Sequence, residues 1–509
     1  MFPIRLLWAS PDVNPINGKA RSIPALNPVN MYGRVFFFSW FGFMIAFWSW
    51  YAFPPLLKEV IAKDIHLPQH QLANSNIVAL LATLLVRLVA GPMCDRFGPR
   101  YTFAGCLLAG SIPTFCAGGI TNTGGLIAVR FFVGILGGSF VPCQVWSTGF
   151  FDKNVVGTAN ALTGGFGNAG GGITYFVMPA IFESLVSNGL APHVAWRVSF
   201  IVPGILIVST AAFMLLLCPD CPTGKWSERM AAAELNLRRA SIDRGTVVDV
   251  KGDITDKPAH HDSPSPSLGD DKKADPLRYS DREAQLEPDT LIESARGEVI
   301  QKPTLQEILK VSFSPQVIAL GAGYICSFGG ELAINSILGN YYIKNFHLSL
   351  QEAGNWAAMF GLLNVAFRPL GGVVSDLAYR YTDGSLWAKK LLMHAYNIIA
   401  GGFAIAIGLI DPKTPSTMYG LIAGFAFFLE GANGLNFGLV PHVHPYANGI
   451  VSGFTGACGN FGGIIFAIIF RYHGTDYAKV FWICGIMFIA FQLAVIWIRP
   501  IPKGQIGGH

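Results

Sequence analysis

Two arginines have the clearest chemistry in this sequence, because each lies inside a long apolar stretch. Arg87 falls within residues 76–91 and Arg368 within residues 357–372. A guanidinium at bilayer depth costs roughly 2.5–3.5 kcal/mol on insertion scales unless it faces a cavity or a partner. Each arginine is followed by a glycine and an aspartate at one common offset of 281 residues (368−87 and 376−95). Two equivalent buried cations in two halves of one chain predict a symmetric site for an anion.

Carboxylates also occur inside apolar segments, at Glu331 and Glu430. Intramembrane carboxylates often carry protons. Two arginines and one monovalent anion leave a surplus positive charge, which a carboxylate would offset. The alternative interpretation is that each glutamate caps a polar patch or faces an aqueous vestibule. We take Glu331 as the first candidate for a proton-carrying residue.

The elements that position these residues are predicted to be membrane-spanning helices. The chain has 509 residues, of which 51% are hydrophobic and only 13% charged, about half the charge of a typical soluble protein. Segments of about 20 apolar residues are long enough to span a bilayer. The sequence therefore predicts an all-α membrane protein with twelve spans, at approximately 34–57, 76–94, 101–120, 124–148, 156–183, 194–218, 315–343, 350–374, 386–409, 415–440, 449–471 and 477–498.

These spans divide the chain into two bundles of six helices, residues 1–218 and 311–509, joined by a polar region at 219–310. The central region is rich in Pro and Ser and nearly free of aromatic residues, a composition that predicts disorder over most of its length. Short amphipathic helices are expected at its two ends, over 227–239 and 304–311. The Ser-Pro pairs at Ser263 and Ser265 are candidate sites for a kinase.

An internal repeat relates the two bundles. The glycine-rich stretch around Asn168 matches the stretch around Asn460 at an offset of 292 residues (460−168). The glycines before Phe140 match those before Phe437 at an offset of 297 (437−140). Close helix packing explains most of these glycines, but it does not require an asparagine at the same place in both copies. The repeat predicts two pseudo-symmetric bundles with a substrate site between them.

The same motifs carry a family resemblance. Residues 91–100 resemble the loop motif between the second and third helices of the major facilitator superfamily, and residues 130–138 are similar to its fourth-helix motif. The stretches 163–171 and 455–463 resemble the paired nitrate signatures of its nitrate/nitrite porter family. The resemblance implies the major facilitator fold and a secondary active transporter that imports nitrate, and also nitrite, across the plasma membrane.

Nitrate is a flat monoanion with three acceptor oxygens, and the planar fork of donors on arginine suits it better than lysine does. Asparagine amides can donate to a nitrate oxygen or hold the arginines in place. The resemblance adds flat aromatic walls on the fourth and seventh spans, and Phe47 on the first span is a further candidate. The predicted substrate-binding residues are Arg87, Arg368, Asn168, Asn460, Tyr324, Phe140, Phe328 and Phe47.

A second set of charged residues lies at the ends of the second, third and eighth spans. The family motif implies that these residues form a conformational latch between helices rather than a substrate site. The set comprises Asp95, Arg96, Arg100 and Asp376.

The mechanism predicted from the sequence is proton symport by alternating access, with nitrate/nitrite exchange as the alternative and a non-transporting nitrate receptor as the alternative of another class. Lys and Arg in the short connections favour cytoplasmic termini. The expected partners are nitrate, nitrite, protons and membrane lipid, and the expected state is a monomer.

Other functional classes find little support in the sequence. An enzyme would need clustered His, Asp, Glu or Cys residues, and none are apparent. The C-x-x-C of Cys218 and Cys221 has no second pair or nearby histidines, so we expect no metal and no cofactor. A net charge of +5 is small and scattered, which argues against nucleic acid as a partner.

Overall fold

The computed structural model describes residues 4–14, 17–229, 231–232, 235, 300, 302–348, 350–473, 476–503 and 505. Within these residues the secondary structure is helical, with isolated β-bridges and no strand. Twelve helical segments are long and apolar enough to cross a membrane. The predicted all-α membrane protein with twelve spans is therefore confirmed.

The first six spans are α1 (Met31–Leu56), α2 (Asn74–Phe97), α3 (Pro99–Gly119), α4 (Thr123–Phe150), α5 (Val156–Ser187) and α6 (Pro192–Leu217). The second six are α7 (Pro315–Phe346), α8 (Glu352–Tyr381), α9 (Leu386–Ile410), α10 (Pro415–His442), α11 (Pro445–His473) and α12 (Tyr477–Val495). At 1.5 Å per residue, each is long enough for a hydrocarbon core of about 30 Å.

Local sequence signals set several of the helix ends. Proline occupies the first turn at Pro99, Pro192, Pro315 and Pro415, where its missing N–H would have no helical acceptor. The side chain of Asn30 caps the start of α1 by accepting from the backbone of Tyr32. These signals explain why the predicted spans and the observed helices begin within a few residues of each other.

The two bundles meet along two pairs of helices, α2 with α11 and α5 with α8. Glycines allow this contact, because Gly91 of α2 faces the backbone of Gly449 and Gly453 of α11 so closely that a Cβ would collide. Gly165 of α5 faces the backbone of Asn364 in the same way. The glycine-rich repeat thus brings α2, α5, α8 and α11 together at the molecular centre.

The two ends of the bundle differ. We call the end that carries residues 4, 300 and 505 the gated end, because the two halves are in close contact there. The opposite end, which we call the vestibule end, contains a cavity of about 550 Å³ between the halves. Trp50, Asn76, Lys344 and Tyr477 are among its lining residues.

The connection between the halves is described only at its ends. A short helix, Leu305–Ser312, begins at a capping box in which the Thr304 hydroxyl accepts from the Glu307 N–H and the Glu307 carboxylate accepts from Thr304. This helix confirms the one expected at 304–311. The expected disorder of the central region and the Ser-Pro pairs at Ser263 and Ser265 fall outside the described residues.

The C-x-x-C pair lies just after α6, and both cysteines are free and buried. Burial raises the pKa of the Cys218 thiol to about 12 and also raises the pKa of Cys221. Thiolate, not thiol, is the form that binds metals. In the part of the chain that the structure describes, no group of three or more His, Cys, Asp or Glu side chains is placed to hold a metal ion.

Candidate anion-binding site

Arg87 lies at the interface between the halves and is fully buried. Its Nε donates to the carbonyl of Gly137 at 3.0 Å, and its Nη1 donates to the carbonyl of Gly456 at 2.9 Å. Gly137 belongs to the same half and Gly456 to the opposite one, so this guanidinium bridges the halves. Among the described residues, Nη2 has no acceptor although it is buried.

The α4 helix is adapted to receive Arg87. Residues Gly134–Ser139 form a 3₁₀ segment inside this span, immediately before Phe140. Such mid-helix segments often mark functional positions. The Gly137 carbonyl in this segment accepts from Arg87, while the Gly134 carbonyl accepts from Thr83 at 2.9 Å. The glycines that the repeat singled out therefore supply backbone acceptors as well as close packing.

Arg368 is also fully buried but makes fewer bonds. Its Nη2 donates to the hydroxyl of Tyr324 at 3.2 Å. Its Nε and Nη1 have no acceptor within the described parts of the chain. Gly164 of the opposite half packs against this guanidinium, at a position where a Cβ would lie 2.7 Å from Nε. A buried donor without an acceptor costs about 1–3 kcal/mol, and more when it is charged, so these nitrogens identify a place for an acceptor.

Aromatic rings surround both guanidinium groups. The Cζ atoms of Arg87 and Arg368 lie 4.8 and 5.4 Å from the centroid of the Phe140 ring. Arg87 also lies 5.0 Å from the centroid of Phe328. Tyr324 and Phe328 are stacked with a 7° angle between their planes, and both are nearly parallel to Phe140. The structure thus brings five of the predicted binding residues into one cluster.

The two repeat asparagines have different surroundings. Asn460 lies in α11, where its Nδ2 donates to the same Gly456 carbonyl that accepts from Arg87. Asn168 lies in α5, with its Nδ2 3.5 Å from a carboxylate oxygen of Glu331. Asn460 therefore contacts the arginine cluster indirectly, through a shared acceptor, and Asn168 contacts the buried acid.

Glu331 is at the centre of a polar cluster in the second half. Its Oε1 accepts from Asn364 at 2.8 Å, and its Oε2 accepts from Asn433 at 2.7 Å. Together with Asn168, this makes three amide groups around one buried carboxyl. Glu430 is fully buried too, but neither of its oxygens has a hydrogen-bond partner among the described residues.

Phe47 lies one ring away from the arginine cluster. Its ring packs on Phe43 with a centroid distance of 4.5 Å, and Phe43 in turn packs on Phe140. Phe47 also lines a small cavity of about 20 Å³ together with Asn168, Glu331 and other residues. Its position is therefore beside the acid rather than beside the guanidinium groups.

The aspartates of the two loop motifs bind the first turns of helices in the opposite half. Asp95 at the end of α2 accepts from the N–H groups of Gly449 and Ile450, at 2.8 and 3.1 Å. Asp376 in α8 accepts from the N–H and the hydroxyl of Thr158, at 2.6 and 2.7 Å. Each aspartate therefore joins the halves at the gated end, and a carboxylate is favoured at the positive end of a helix.

The predicted latch arginines lie further out. Arg100 pairs with Asp220 at 2.6 Å, within the same half. Arg96 is exposed, with its guanidinium over the ring of Phe97. In the second half, Asp376 instead pairs with the fully buried Lys389 at 3.2 Å.

Several residues of the site were not predicted from the sequence. Asn364 and Asn433 bind Glu331, and Phe437 packs on Phe140 with a centroid distance of 4.8 Å. Asn364 lies one helical turn before Arg368, and Asn433 lies inside the glycine repeat. A search for amide residues on the same helix faces as the buried charges would have found both.

Comparisons with known proteins place this architecture in a family. The Major Facilitator Superfamily matches residues 39–467 and 320–509. The fold is similar to that of the proton:xylose symporter XylE bound to 6-bromo-6-deoxy-D-glucose, with a TM-score of 0.63 and 13% identity over 90% of this chain and 94% of that one.

The sequence is 41% identical to Elsinochrome transporter 1 of Elsinoe fawcettii, over 98% of this chain and 99% of that protein. It is 32% identical to High affinity nitrate transporter 2.5 of Arabidopsis thaliana, over 94% and 82%, and 26% identical to Nitrate/nitrite transporter NrtP of Nostoc punctiforme, over 93% of each. These relatives confirm the resemblance drawn from the motifs. The chain belongs to the major facilitator superfamily and is a multi-pass membrane transporter rather than an enzyme.

Proposed function

We propose that this chain imports nitrate, and also nitrite, across the plasma membrane by proton symport. The observation that carries the proposal is the pair of buried guanidinium groups from opposite halves. Between them, Arg87 Nη2 and Arg368 Nε and Nη1 are three buried donor nitrogens without an acceptor in the described residues. Nitrate has three acceptor oxygens in one plane, and arginine remains charged at any physiological pH.

The surroundings favour a small, flat anion over a large one. Phe140, Tyr324 and Phe328 present nearly parallel rings, and Gly164 and Gly456 lie directly against the guanidinium groups. A bulky substrate would have to displace these side chains. The relatives named as nitrate transporters agree with this reading, whereas the relative named for elsinochrome makes an organic substrate the second candidate.

The two ends of the bundle support alternating access. The aspartate contacts of Asp95 and Asp376 hold the gated end closed, while the vestibule end contains the large cavity. The positive-inside rule places the gated end, with both termini, in the cytoplasm. In this state the site would therefore face the outside, and Arg130, Lys344 and Arg471 in the vestibule would attract anions.

Uptake of an anion needs an additional driving force. An inside-negative potential opposes anion import by about 2.3 kcal/mol per charge per 100 mV. More than one proton per nitrate would reverse the sign of the transported charge, so that the potential drives uptake. A guanidinium does not act as a proton carrier in the physiological pH range, so another group must carry these protons.

Glu331 is our candidate for the proton-carrying residue. The small cavity beside it has room for about one water molecule, and Tyr51 and Tyr175 line both this cavity and the vestibule. Protons would therefore have a short path from the vestibule to the carboxyl group. Asn168 links this acid to the opposite half, so protonation and the movement of the halves would be coupled.

Uptake of labelled nitrate by the purified protein in liposomes tests the proposal. We expect uptake to rise with external acidity, to be driven by an inside-negative potential, and to acidify the lumen. Electroneutral uptake that requires internal nitrite and ignores pH would instead establish the exchanger. Saturable binding without flux would establish a receptor, and transport of elsinochrome without nitrate would establish the organic substrate.

A further inference from the structure

We propose that the gated end contains a second anion site, which binds phosphate and holds the cytoplasmic gate closed. Its effect on flux rests on the alternating-access mechanism proposed above, but binding itself does not. The site is a cavity of about 130 Å³. Three basic side chains line it, from Lys19, Lys153 and Arg229, together with the amide of Asn448.

The walls of this cavity come from both halves. Lys19 precedes α1 and Lys153 lies between α4 and α5, so both belong to the first half, whereas Arg229 lies at the start of the region that joins the halves. Pro441 lies at the end of α10, and Pro445 and Asn448 lie at the start of α11, so these residues belong to the second half. The complete cavity therefore exists only while the halves are in contact at this end.

Asn448 gives the cavity an unused donor. The residue is 2% exposed, and among the described residues neither its Nδ2 nor its Oδ1 has a hydrogen-bond partner. Buried side-chain amides normally have partners, and leaving one unpaired costs about 1–3 kcal/mol. An anion in the cavity would accept a hydrogen bond from Nδ2 while facing the basic side chains.

Arg229 has a different role from the lysines. Its Nε donates to the carbonyl of Ile300 at 2.9 Å, its Nη1 to that of Trp226 at 2.7 Å and its Nη2 to that of Asp95 at 3.3 Å. These bonds fix the guanidinium, so it contributes charge and shape rather than a free donor. Lys19 supplies an ammonium group, which would bind phosphate as a point charge, and Lys153 adds a second positive charge to the lining.

The acidic groups nearby do not occupy the cavity. Asp95 accepts from the first turn of α11, and Asp152 accepts from the backbone of Lys153 at 2.9 Å and lies 3.5 Å from the amide of Asn14. Neither carboxylate lines the cavity. Within the part of the chain that the structure describes, the lining charges are thus all positive, which favours a multiply charged oxyanion over a neutral solute.

The expected consequence is inhibition from the gated side. A ligand that binds only when both halves are in contact stabilises that state by its differential affinity. Phosphate on this side would slow the opening of the gate without competing for the nitrate site. A phosphorylated side chain of the chain itself carries the same chemistry and would act in the same way.

The test uses the full-length protein, purified and treated with phosphatase. We expect inorganic phosphate to raise its melting temperature in the absence of nitrate. In Lys19→Gln, the phosphate concentration that gives half of this effect should be about tenfold higher, because one charge-assisted hydrogen bond is lost. Lys503→Gln removes an exposed lysine at the same end and should change nothing. Lys153→Gln provides a second variant if the first does not fold.

The proposal would be overturned if phosphate stabilised the wild type, Lys19→Gln and Lys153→Gln equally. It would also be overturned if phosphate stabilised the wild-type protein neither before nor after phosphatase treatment. If the untreated protein melts at a higher temperature than the phosphatase-treated protein, and Lys19→Gln abolishes this difference, the phosphate belongs to a phosphorylated side chain of the chain itself. In liposomes, phosphate on the gated side should lower the maximal rate and leave the nitrate half-saturation unchanged. Because the melting experiment contains no nitrate, failure of the nitrate proposal would not affect its outcome.

Discussion

The two halves place their arginines at equivalent positions but hold them differently. Arg87 is fixed by two backbone carbonyls, one of them in the opposite half, and has one nitrogen left. Among the described residues, Arg368 is held by Tyr324 alone, within its own half, and has two nitrogens left. Duplication therefore set the position of each charge, whereas the neighbouring residues set which of its nitrogens remain available. We infer that Arg87 anchors the ion and the interface, while Arg368 supplies most of the binding contacts.

The two latch aspartates, Asp95 and Asp376, likewise lie at equivalent positions but have different partners. Asp95 binds the first turn of α11 through two backbone N–H groups, and Asp376 binds Thr158 at the start of α5. The donating residues Ile450 and Thr158 are 292 residues apart (450−158), as are Asn460 and Asn168. Only Asp376, among the described residues, also has a buried lysine within ion-pair distance.

The largest effect is expected at the second latch. Asp376→Asn would leave Lys389, which is fully buried, without its carboxylate. Breaking a buried pair in this way costs about 3–5 kcal/mol, so the melting temperature of the purified protein should fall clearly. The double variant Asp376→Asn with Lys389→Met should recover much of the loss. Asp95→Asn should lower the melting temperature less. An equal or larger decrease in Asp95→Asn would contradict the inference that Asp376 forms the stronger set of contacts.

The next effect distinguishes the two arginines. Arg368→Lys keeps the charge but loses the planar fork, and each lost bond to a charged group is worth about 1.5–3 kcal/mol. We expect its nitrate half-saturation to rise about 10- to 100-fold. Arg87→Lys should raise it less and lower the maximal rate more, because it removes a bridge between the halves. Uptake measured over a range of nitrate concentrations checks both expected changes. Identical changes in the two variants would contradict the different roles inferred for Arg87 and Arg368.

A third experiment compares the two buried acids of the second half. Glu331→Gln keeps the shape of the side chain but cannot release a proton. Each coupled proton multiplies the accumulation ratio by about tenfold per pH unit, since that unit corresponds to 1.36 kcal/mol. We expect Glu331→Gln to lose this dependence and Glu430→Gln to retain it. Accumulation by Glu331→Gln that still follows the pH gradient would place the proton on another group.

The smallest effect is expected at the outer aromatic ring. Phe140 faces both guanidinium groups, and desolvated cation–π contacts are worth about 2 kcal/mol, so Phe140→Leu should raise the half-saturation about 30-fold. Phe47 packs on Phe43 and contacts the cluster only through it. Phe47→Leu should change the half-saturation by less than about twofold. A larger change at Phe47 than at Phe140 would move the site toward Glu331.

Much of the architecture was predictable because each span can be recognised in the sequence by its length and its low polarity. The buried arginines and the repeat also indicated that the site lies between the halves, and the structure places Arg87, Arg368, Phe140, Tyr324 and Phe328 together there. The bonding pattern was not predictable. It depends on which carbonyl each guanidinium meets, and those of Gly137 and Gly456 are set by a 3₁₀ segment and by packing across the interface.

The acid cluster shows a second limit. Glu331 was recognisable as an unusual charge in an apolar segment, but the amides of Asn364 and Asn433 come from two other helices. Their proximity depends on helix rotation, which hydropathy does not specify. Lys389 likewise falls within the predicted ninth span, but hydropathy does not specify the ion pair that it forms with Asp376 of α8.

Equilibrium binding of nitrate to the purified protein tests the central claim most directly. Calorimetric titration of the wild type should reveal one saturable site, with affinity reduced in Arg368→Lys and binding undetectable in the double variant Arg87→Lys with Arg368→Lys. Arg499→Lys, which makes the same substitution at an exposed arginine, serves as the charge-matched control and should bind as the wild type does. Nitrate binding of wild-type affinity in the double variant would contradict a site formed by the two buried guanidinium groups.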